Sequence, residues 1–138
     1  MARGDAGQKQ TARGVTFTFD TGMLIALERR KRRATEAFRN IIRRGFLPVV
    51  PAVVYVEWWR GRSDIREEIL AALILEDMAP ALCRAAGEAL GAVRGSTLAD
   101  AVVMASAALR GGGVVYTADV EDLSRLQGYF PTVHVLHV

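Results

Sequence analysis

Two carboxylates of this sequence stand where a strand pattern gives way to a helix pattern. Asp20 ends the alternating, β-rich run 15–19, and Asp119 follows the similar run 114–117. In open α/β sheets, ligands bind in the crevice at the carboxyl ends of the strands. We therefore expect both side chains at one edge of a sheet, where they could share a ligand.

Two further acids have settings that fit the same edge. Asp100 falls in the first turn of a predicted buried helix, and Glu57 lies within the apolar run 53–59. Because an unpaired buried charge is very costly, Glu57 must reach solvent, a metal, or a partner such as Arg60 or Arg62. Clustered carboxylates repel one another unless a cation neutralises them, and oxygen-only ligands favour Mg²⁺ or Mn²⁺ over zinc. The four acids together therefore suggest a divalent metal site of the kind that activates water and polarises a phosphate.

Most of these acids also have a purely structural explanation. Asp is a preferred N-cap, so Asp20 and Asp119 could simply begin helices, and Asp119 with Asp122 looks like a loose capping box. Asp100 in a first helical turn suits the helix macrodipole. Taken singly, each of these roles is the commoner one. Four acids at matched positions favour a shared site.

Length and composition indicate a single globular domain. The 138 residues are 51% hydrophobic and 24% charged, and no apolar run approaches the roughly 18 residues of a membrane span. Lone Cys83 excludes an internal disulfide and fits a reducing compartment. Residues 1–14 are polar and glycine-rich and lack the apolar core of a secretory signal. They are predicted to be a flexible extension before a domain at 15–138.

A strongly basic segment follows the first predicted helix. Residues 28–44 contain eight basic and two acidic side chains, a net charge of +6. Such a segment attracts phosphate backbones and gives salt-dependent binding. The predicted substrate-binding residues within it are Arg29, Arg30, Arg32 and Arg33. A solvated helix face is the simpler explanation of the same charges.

The elements that must position these residues alternate between strand and helix. Helices are predicted at 21–27, 34–44, 51–60, 65–75, 81–90, 98–110 and 120–126, and strands at 15–19, 46–50, 114–117 and 133–137, with an optional very short strand near 75–78. For 51–60 a strand stays open as the alternative, because Val53, Val54 and Val56 favour β-structure. Asp64 is the predicted N-cap of the fourth helix. Strands separated by helices form a parallel sheet with helices on both faces.

The order and spacing of four short motifs resemble those of PIN-domain ribonucleases, and specifically of VapC-type toxins of type II toxin–antitoxin systems. The motifs are Phe19-Asp20-Thr21, Val56-Glu57, Leu98-Ala99-Asp100-Ala101, and Tyr116-Thr117-Ala118-Asp119 with Asp122 following. The resemblance runs from residue 17 to the last residue of the chain. It implies a PIN-like three-layer α/β/α sandwich with a central, mainly parallel five-stranded sheet.

The same resemblance implies an activity and its residues. The chain would be a metal-dependent endoribonuclease toxin, cytoplasmic and homodimeric, inhibited by a cognate VapB-type antitoxin whose tail covers the cleft. Mg²⁺ or Mn²⁺ would be held by Asp20, Asp100 and Asp119, with Glu57 as a further ligand or as organiser of the attacking water. The auxiliary residues would be Thr21, Thr117 and Asp122.

Two other functional classes stay open on the sequence alone. A catalytically silent PIN-like module that binds RNA or a protein is supported by the basic segment, which suffices for binding without chemistry. A phospho-acceptor receiver domain fits less well, because it needs a pair of acids near the first strand and a late lysine. No lysine follows Lys31.

Overall fold

The computed structural model describes residues 16–138, in which five strands and seven helices alternate along the chain. The strands are β1 (Phe17–Phe19), β2 (Val49–Pro51), β3 (Ile74–Glu76), β4 (Gly113–Thr117) and β5 (Val133–His137). The helices are α1 (Thr21–Glu28), α2 (Arg32–Arg43), α3 (Ala52–Trp58), α4 (Asp64–Leu70), α5 (Pro80–Ala92), α6 (Leu98–Leu109) and α7 (Val120–Gln127). The predicted extension, 1–14, lies outside the described residues.

The five strands form one sheet in the order β3-β2-β1-β4-β5, and every neighbouring pair is parallel. The predicted three-layer sandwich around a parallel sheet is therefore confirmed. From β1 the chain moves outward through β2 and β3, then returns to place β4 on the opposite side of β1. This reversal creates a switch point between β1 and β4, where open α/β sheets bind ligands.

Alternating side chains of β1 determine which helix covers each face of the sheet. Phe19 points to one face, where its ring packs edge-on against Phe38 of α2 with centroids 5.7 Å apart. Thr18 points to the other face, where its hydroxyl accepts a hydrogen bond from Arg110, the residue that ends α6. As predicted, α6 is buried on nearly all sides, with 101–107 entirely enclosed. No helix among residues 16–138 is long and apolar enough to cross a membrane.

The predicted second strand, 46–50, is placed too early. Gly45 adopts φ 87° after α2, and the N–H of Phe46 donates to the carbonyl of Ile41 at 3.1 Å. This left-handed glycine closure satisfies a free carbonyl at the helix end. Because it occupies the N–H of Phe46, strand pairing begins only at β2, Val49–Pro51.

The predicted fourth helix extends too far and has a different cap. Ser63, not Asp64, is the N-cap of α4, since its hydroxyl accepts a hydrogen bond from the N–H of Arg66 at 3.2 Å. The helix ends at Leu70, because the chain then enters β3 at Ile74 and pairs with β2. The optional short strand is thus present, and the other predicted elements are confirmed to within two residues at each end.

Candidate active site

One cleft opens at the carboxyl edge of the sheet, beside the switch point between β1 and β4. Its volume is about 260 Å³. All seven residues that the sequence predicted as catalytic or auxiliary line it, namely Asp20, Thr21, Glu57, Asp100, Thr117, Asp119 and Asp122. They come from the ends of two strands, the beginnings of three helices and the last turn of α3, so residues far apart in the chain share one site.

Asp20 is both a helix cap and a wall of the cleft. One oxygen of its carboxylate accepts a hydrogen bond from the N–H of Met23 at 2.8 Å, which caps α1. The side chain is only 8% exposed and also accepts a hydrogen bond from the hydroxyl of Thr117 on β4. The structural and the functional explanations of Asp20 are therefore compatible.

The pKa of Asp20 is raised from 3.8 to about 6. Burial is the largest cause, because removal from water disfavours the charged form. The negative charges of Asp100 and Asp119 raise the pKa further, whereas the hydrogen bonds from Thr117 and from the N–H of Met23 oppose the rise. A carboxylate in this setting would be stabilised by a cation.

Asp119 takes the N-cap position of α7, but its side chain makes no capping hydrogen bond. Its N–H donates to the hydroxyl oxygen of Thr117 at 2.9 Å, so one buried threonine joins Asp119 to Asp20. The charge of Asp119 is also the main cause of a raised pKa of Asp122, and the two side chains are hydrogen-bonded. Capping therefore does not explain the side chain of Asp119.

Asp100 lies in the first turn of α6, whose N-cap is Thr97. The hydroxyl of Thr97 accepts a hydrogen bond from the N–H of Asp100 at 3.2 Å. The pKa of Asp100 is raised, first by burial and then by the negative charges of Asp122, Glu57 and Asp119. A hydrogen bond with the Thr97 side chain opposes the rise. These charges confirm that the acids of the cleft act on one another.

Glu57 stands at the mouth of the cleft on α3. Its Oε1 accepts a hydrogen bond from the hydroxyl of Thr21 at 2.6 Å, and the residue is exposed. Among the described residues its carboxylate makes no ion pair with Arg60 or Arg62. Arg60 donates instead to the backbone carbonyl of Glu57 at 3.0 Å, and Arg62 lies 4.0 Å from Glu67. Because Glu57 is exposed, its charge stays hydrated and does not need an arginine partner.

The donors in the cleft are those that Mg²⁺ and Mn²⁺ prefer, because they are all oxygens. Within 16–138, however, no three Asp, Glu, His or Cys side chains are close enough to form a ready-made metal-binding set. The pKa values of Asp20 and Asp100 are raised, first by burial and then by neighbouring negative charges, so a bound cation would relieve both effects. The donor type fits a divalent ion, and metal binding by Asp20, Asp100 and Asp119 stays a prediction.

The four predicted substrate-binding arginines do not line the cleft. Arg29 lines an adjacent pocket that shares Glu57 with it. Arg30 and Arg32 line a groove between α2 and α4, and Arg33 lines a groove between α2 and the end of β5. Arg30 sits in the left-handed region at φ 56°, in the turn after α1. Arg32 and Arg33 are adjacent on α2 yet line different grooves, so the basic segment is spread over three surfaces.

Five residues that line the cleft were not predicted as part of the site, namely Thr97, Gly22, Val54, Ala99 and Val103. Thr97 lines the cleft besides capping α6. Gly22 also lines it, and a Cβ there would lie 3.2 Å from Cβ of Ala118, so glycine permits close contact between α1 and the end of β4. The spacing of Thr97 three residues before Asp100 was the available signal for the first.

Comparison with known proteins identifies the family. Residues 17–128 match the model of the PIN domain. A toxin–antitoxin complex from Klebsiella pneumoniae is similar at 17% identity and TM-score 0.69, over 89% of this chain and 100% of that one. VapBC2 from Rickettsia felis, bound to a DNA fragment from its promoter, is similar at 10% identity and TM-score 0.70, over 90% and 99%. No curated protein matches. At these identities the two structures establish the fold, and the family match assigns the chain to the PIN domain family.

Proposed function

We propose that this chain is a metal-dependent endoribonuclease, the toxin of a toxin–antitoxin pair, which hydrolyses RNA phosphodiester bonds with carboxylate-held Mg²⁺ or Mn²⁺. The observation that carries the proposal is the meeting of Asp20, Glu57, Asp100 and Asp119 in one cleft at the switch point. The toxin role is supported by the two structures of the same fold, which are toxin–antitoxin complexes.

Each cleft residue has a definite task in this proposal. Asp20, Asp100 and Asp119 would hold the cation, which when bound would polarise the scissile phosphate and acidify a water. Glu57 would accept a hydrogen bond from that water and orient it for in-line attack, with Thr21 fixing the carboxylate. The auxiliary residues Thr117 and Asp122 would keep Asp20 and Asp119 in place.

The partners belong to the same proposal. RNA would be attracted by the exposed arginines of α2 and its preceding turn. A cognate VapB-type antitoxin would inhibit the enzyme in the cytoplasm, and the active form would be a homodimer. Co-expression with the neighbouring small reading frame, followed by purification of a complex, would test the antitoxin.

Cleavage of structured RNA by the purified chain tests the activity itself. We expect cutting with Mg²⁺ or Mn²⁺ and none with chelator. The variants Asp20→Asn and Asp100→Asn should lose at least about 100-fold in kcat/KM, since ligands matter no less than their supporting partners. The matched control is Asp64→Asn, which alters an exposed acid that does not line the cleft. Equal activity in all three variants would refute the assignment.

A catalytically silent binding module is the second candidate. One observation favours it: the described side chains include no ready-made set of three metal ligands. A calorimetric titration with Mn²⁺ distinguishes the nuclease from the silent module. Binding that disappears in Asp20→Asn supports the nuclease, whereas no carboxylate-dependent binding supports the silent module.

A further inference from the structure

A small pocket adjoins the cleft and shares Glu57 with it. The pocket has a volume of about 190 Å³ and lies between α1, α3 and α4. Its lining includes Arg29, Arg60 and Arg66 together with Glu28, Glu57 and Trp58. We call it the arginine pocket.

One of the two acids that line the arginine pocket, Glu28, is already bound by neighbouring side chains. Trp58 donates its indole N–H to one oxygen of Glu28. The other oxygen lies 3.2 Å from Nη2 of Arg66, with both side chains largely buried. This interaction ties α1 to α3 and α4. Because Glu28 is bound by these two groups, it is poorly placed to neutralise Arg29 and Arg60 as well.

Several hydrogen-bond donors of the pocket have no acceptor within the described part of the chain. Arg60 uses its Nε on the carbonyl of Glu57 and keeps both terminal amino groups. Arg29 is exposed at the end of α1. The Nε of Arg66 is buried without a hydrogen-bond partner among residues 16–138. That atom is enclosed, so the donors available to a ligand are the guanidinium groups of Arg29 and Arg60.

We propose that the arginine pocket binds the phosphate of the nucleotide next to the scissile bond of an RNA strand. Guanidinium groups match phosphate oxygens in charge and in fork geometry. The pocket is small enough to take one phosphate and its sugar rather than a long strand. The inference rests on the proposed nuclease activity, and it adds Arg60 to the substrate contacts. Arg66 holds the pocket together, because its terminal amino groups bind Glu28 and the carbonyl of Gly61.

The test uses Arg29→Gln and Arg60→Gln in the Asp20→Asn background, with chelator to prevent cleavage. The probe is a fluorescent single-stranded RNA of about 12 nucleotides, a length suited to one binding site. We expect each variant to weaken binding roughly fivefold to tenfold and to reduce the slope of log K against log salt by about 0.7. The matched control is Arg84→Gln on α5, an exposed arginine outside the pocket, which should leave both unchanged.

A kinetic readout separates substrate binding from chemistry. With Asp20 intact, the pocket variants should raise KM and leave kcat nearly unchanged, because a phosphate that does not itself react is held equally in the ground and transition states. Inorganic phosphate should compete with the RNA probe in the parent protein and less in the pocket variants. Arg29→Gln is the safer variant, since Arg60 also supports the end of α3. Thermal unfolding of both variants checks that the fold is intact.

The outcomes distinguish the pocket from the proposed function. If the parent cuts RNA and both pocket variants behave like Arg84→Gln, the phosphate site is refuted while the nuclease stands. If the parent cuts nothing but the pocket variants bind RNA more weakly, the nuclease and the place of this phosphate beside a scissile bond are refuted, while the pocket stands as an RNA phosphate site.

Discussion

Thr21 and Glu57 are 36 residues apart in the chain, yet the hydroxyl of Thr21 donates to Oε1 of Glu57 at 2.6 Å. The bond joins the first turn of α1 to α3 across the cleft. Glu57 is exposed and carries no arginine partner on its carboxylate within residues 16–138, so Thr21 is what restrains it. A flexible surface glutamate thereby gains a fixed position beside Asp20 and Asp100.

Thr21→Val should therefore impair catalysis without unfolding the protein. The substitution keeps the shape of the side chain and removes the donor. We expect kcat/KM for RNA cleavage to fall roughly tenfold, the typical value of one hydrogen bond to a charged group. Thr21→Ser should recover most of the loss. If Thr21→Val cleaves RNA at the parental rate, the restraint on Glu57 has no role in the reaction.

Asp20→Asn should stabilise the metal-free protein at neutral pH. The native pKa of Asp20, about 6, exceeds its ordinary value of 3.8, so between these values the folded state binds more protons than the unfolded state. This carboxyl's stabilisation is complete below its ordinary pKa and is lost as pH rises through about 6. The difference at pH 7 is at most about 3 kcal/mol. Asparagine keeps the cap on α1 and has no charge to bury.

Urea unfolding with chelator, at a pH below 5 and at pH 7, measures this effect. Asp20→Asn should gain on the parent as pH rises, because only the parent loses stability from this position. The matched control is Asp64→Asn, because the side chain of Asp64 is exposed rather than buried. A constant difference between Asp20→Asn and the parent at the two pH values would mean that Asp20 titrates normally.

A partly buried polar network should stabilise the opposite face of the sheet. Arg110 donates to Glu76 at 3.1 Å, to Ser106 at 2.7 Å and to Thr18. Removing one member of such a pair leaves an uncompensated charge. Glu76→Gln should cost roughly 2–4 kcal/mol of unfolding free energy, somewhat below the value for a fully buried pair.

The double variant Glu76→Gln/Arg110→Met should recover part of that loss, because no charge is then left unpaired. The comparison pair is Arg32 and Glu36 on α2, in which Nε of Arg32 lies 2.9 Å from Oε1 of Glu36. These two side chains are 89% and 61% exposed. Glu36→Gln should change the unfolding free energy by less than about 1 kcal/mol. Equal costs for Glu76→Gln and Glu36→Gln in urea unfolding would contradict the assigned importance of burial.

The acidic residues of the cleft could be predicted from the sequence because local patterns mark their positions. Asp20 and Asp119 follow strands, and the carboxyl ends of parallel strands lie at one edge of the sheet regardless of loop conformation. The arginines of the basic segment were harder to place. Their side chains leave the helix ends and the turn at Arg30 in different directions, and only the tertiary packing of α1, α2 and α4 decides which surface each reaches.

The ends of helices and strands were predicted less accurately for a different reason. The strand start after α2 depends on a left-handed glycine closure that uses the N–H of Phe46. The end of α4 depends on β3 finding β2 as a partner, which is a long-range pairing that local propensity does not contain. Serine and aspartate are equally good N-caps, so the sequence does not decide between Ser63 and Asp64. The structure uses Ser63, and α4 therefore begins one residue earlier than predicted.

The most direct test of the central claim is an anomalous difference map from a crystal of the protein soaked in Mn²⁺. The account predicts a peak in the cleft, bonded to carboxylate oxygens of Asp20 and of at least one of Asp100 and Asp119, and absent from Asp20→Asn crystals. A saturating soak that leaves the cleft without a peak, or places manganese only elsewhere, would contradict it.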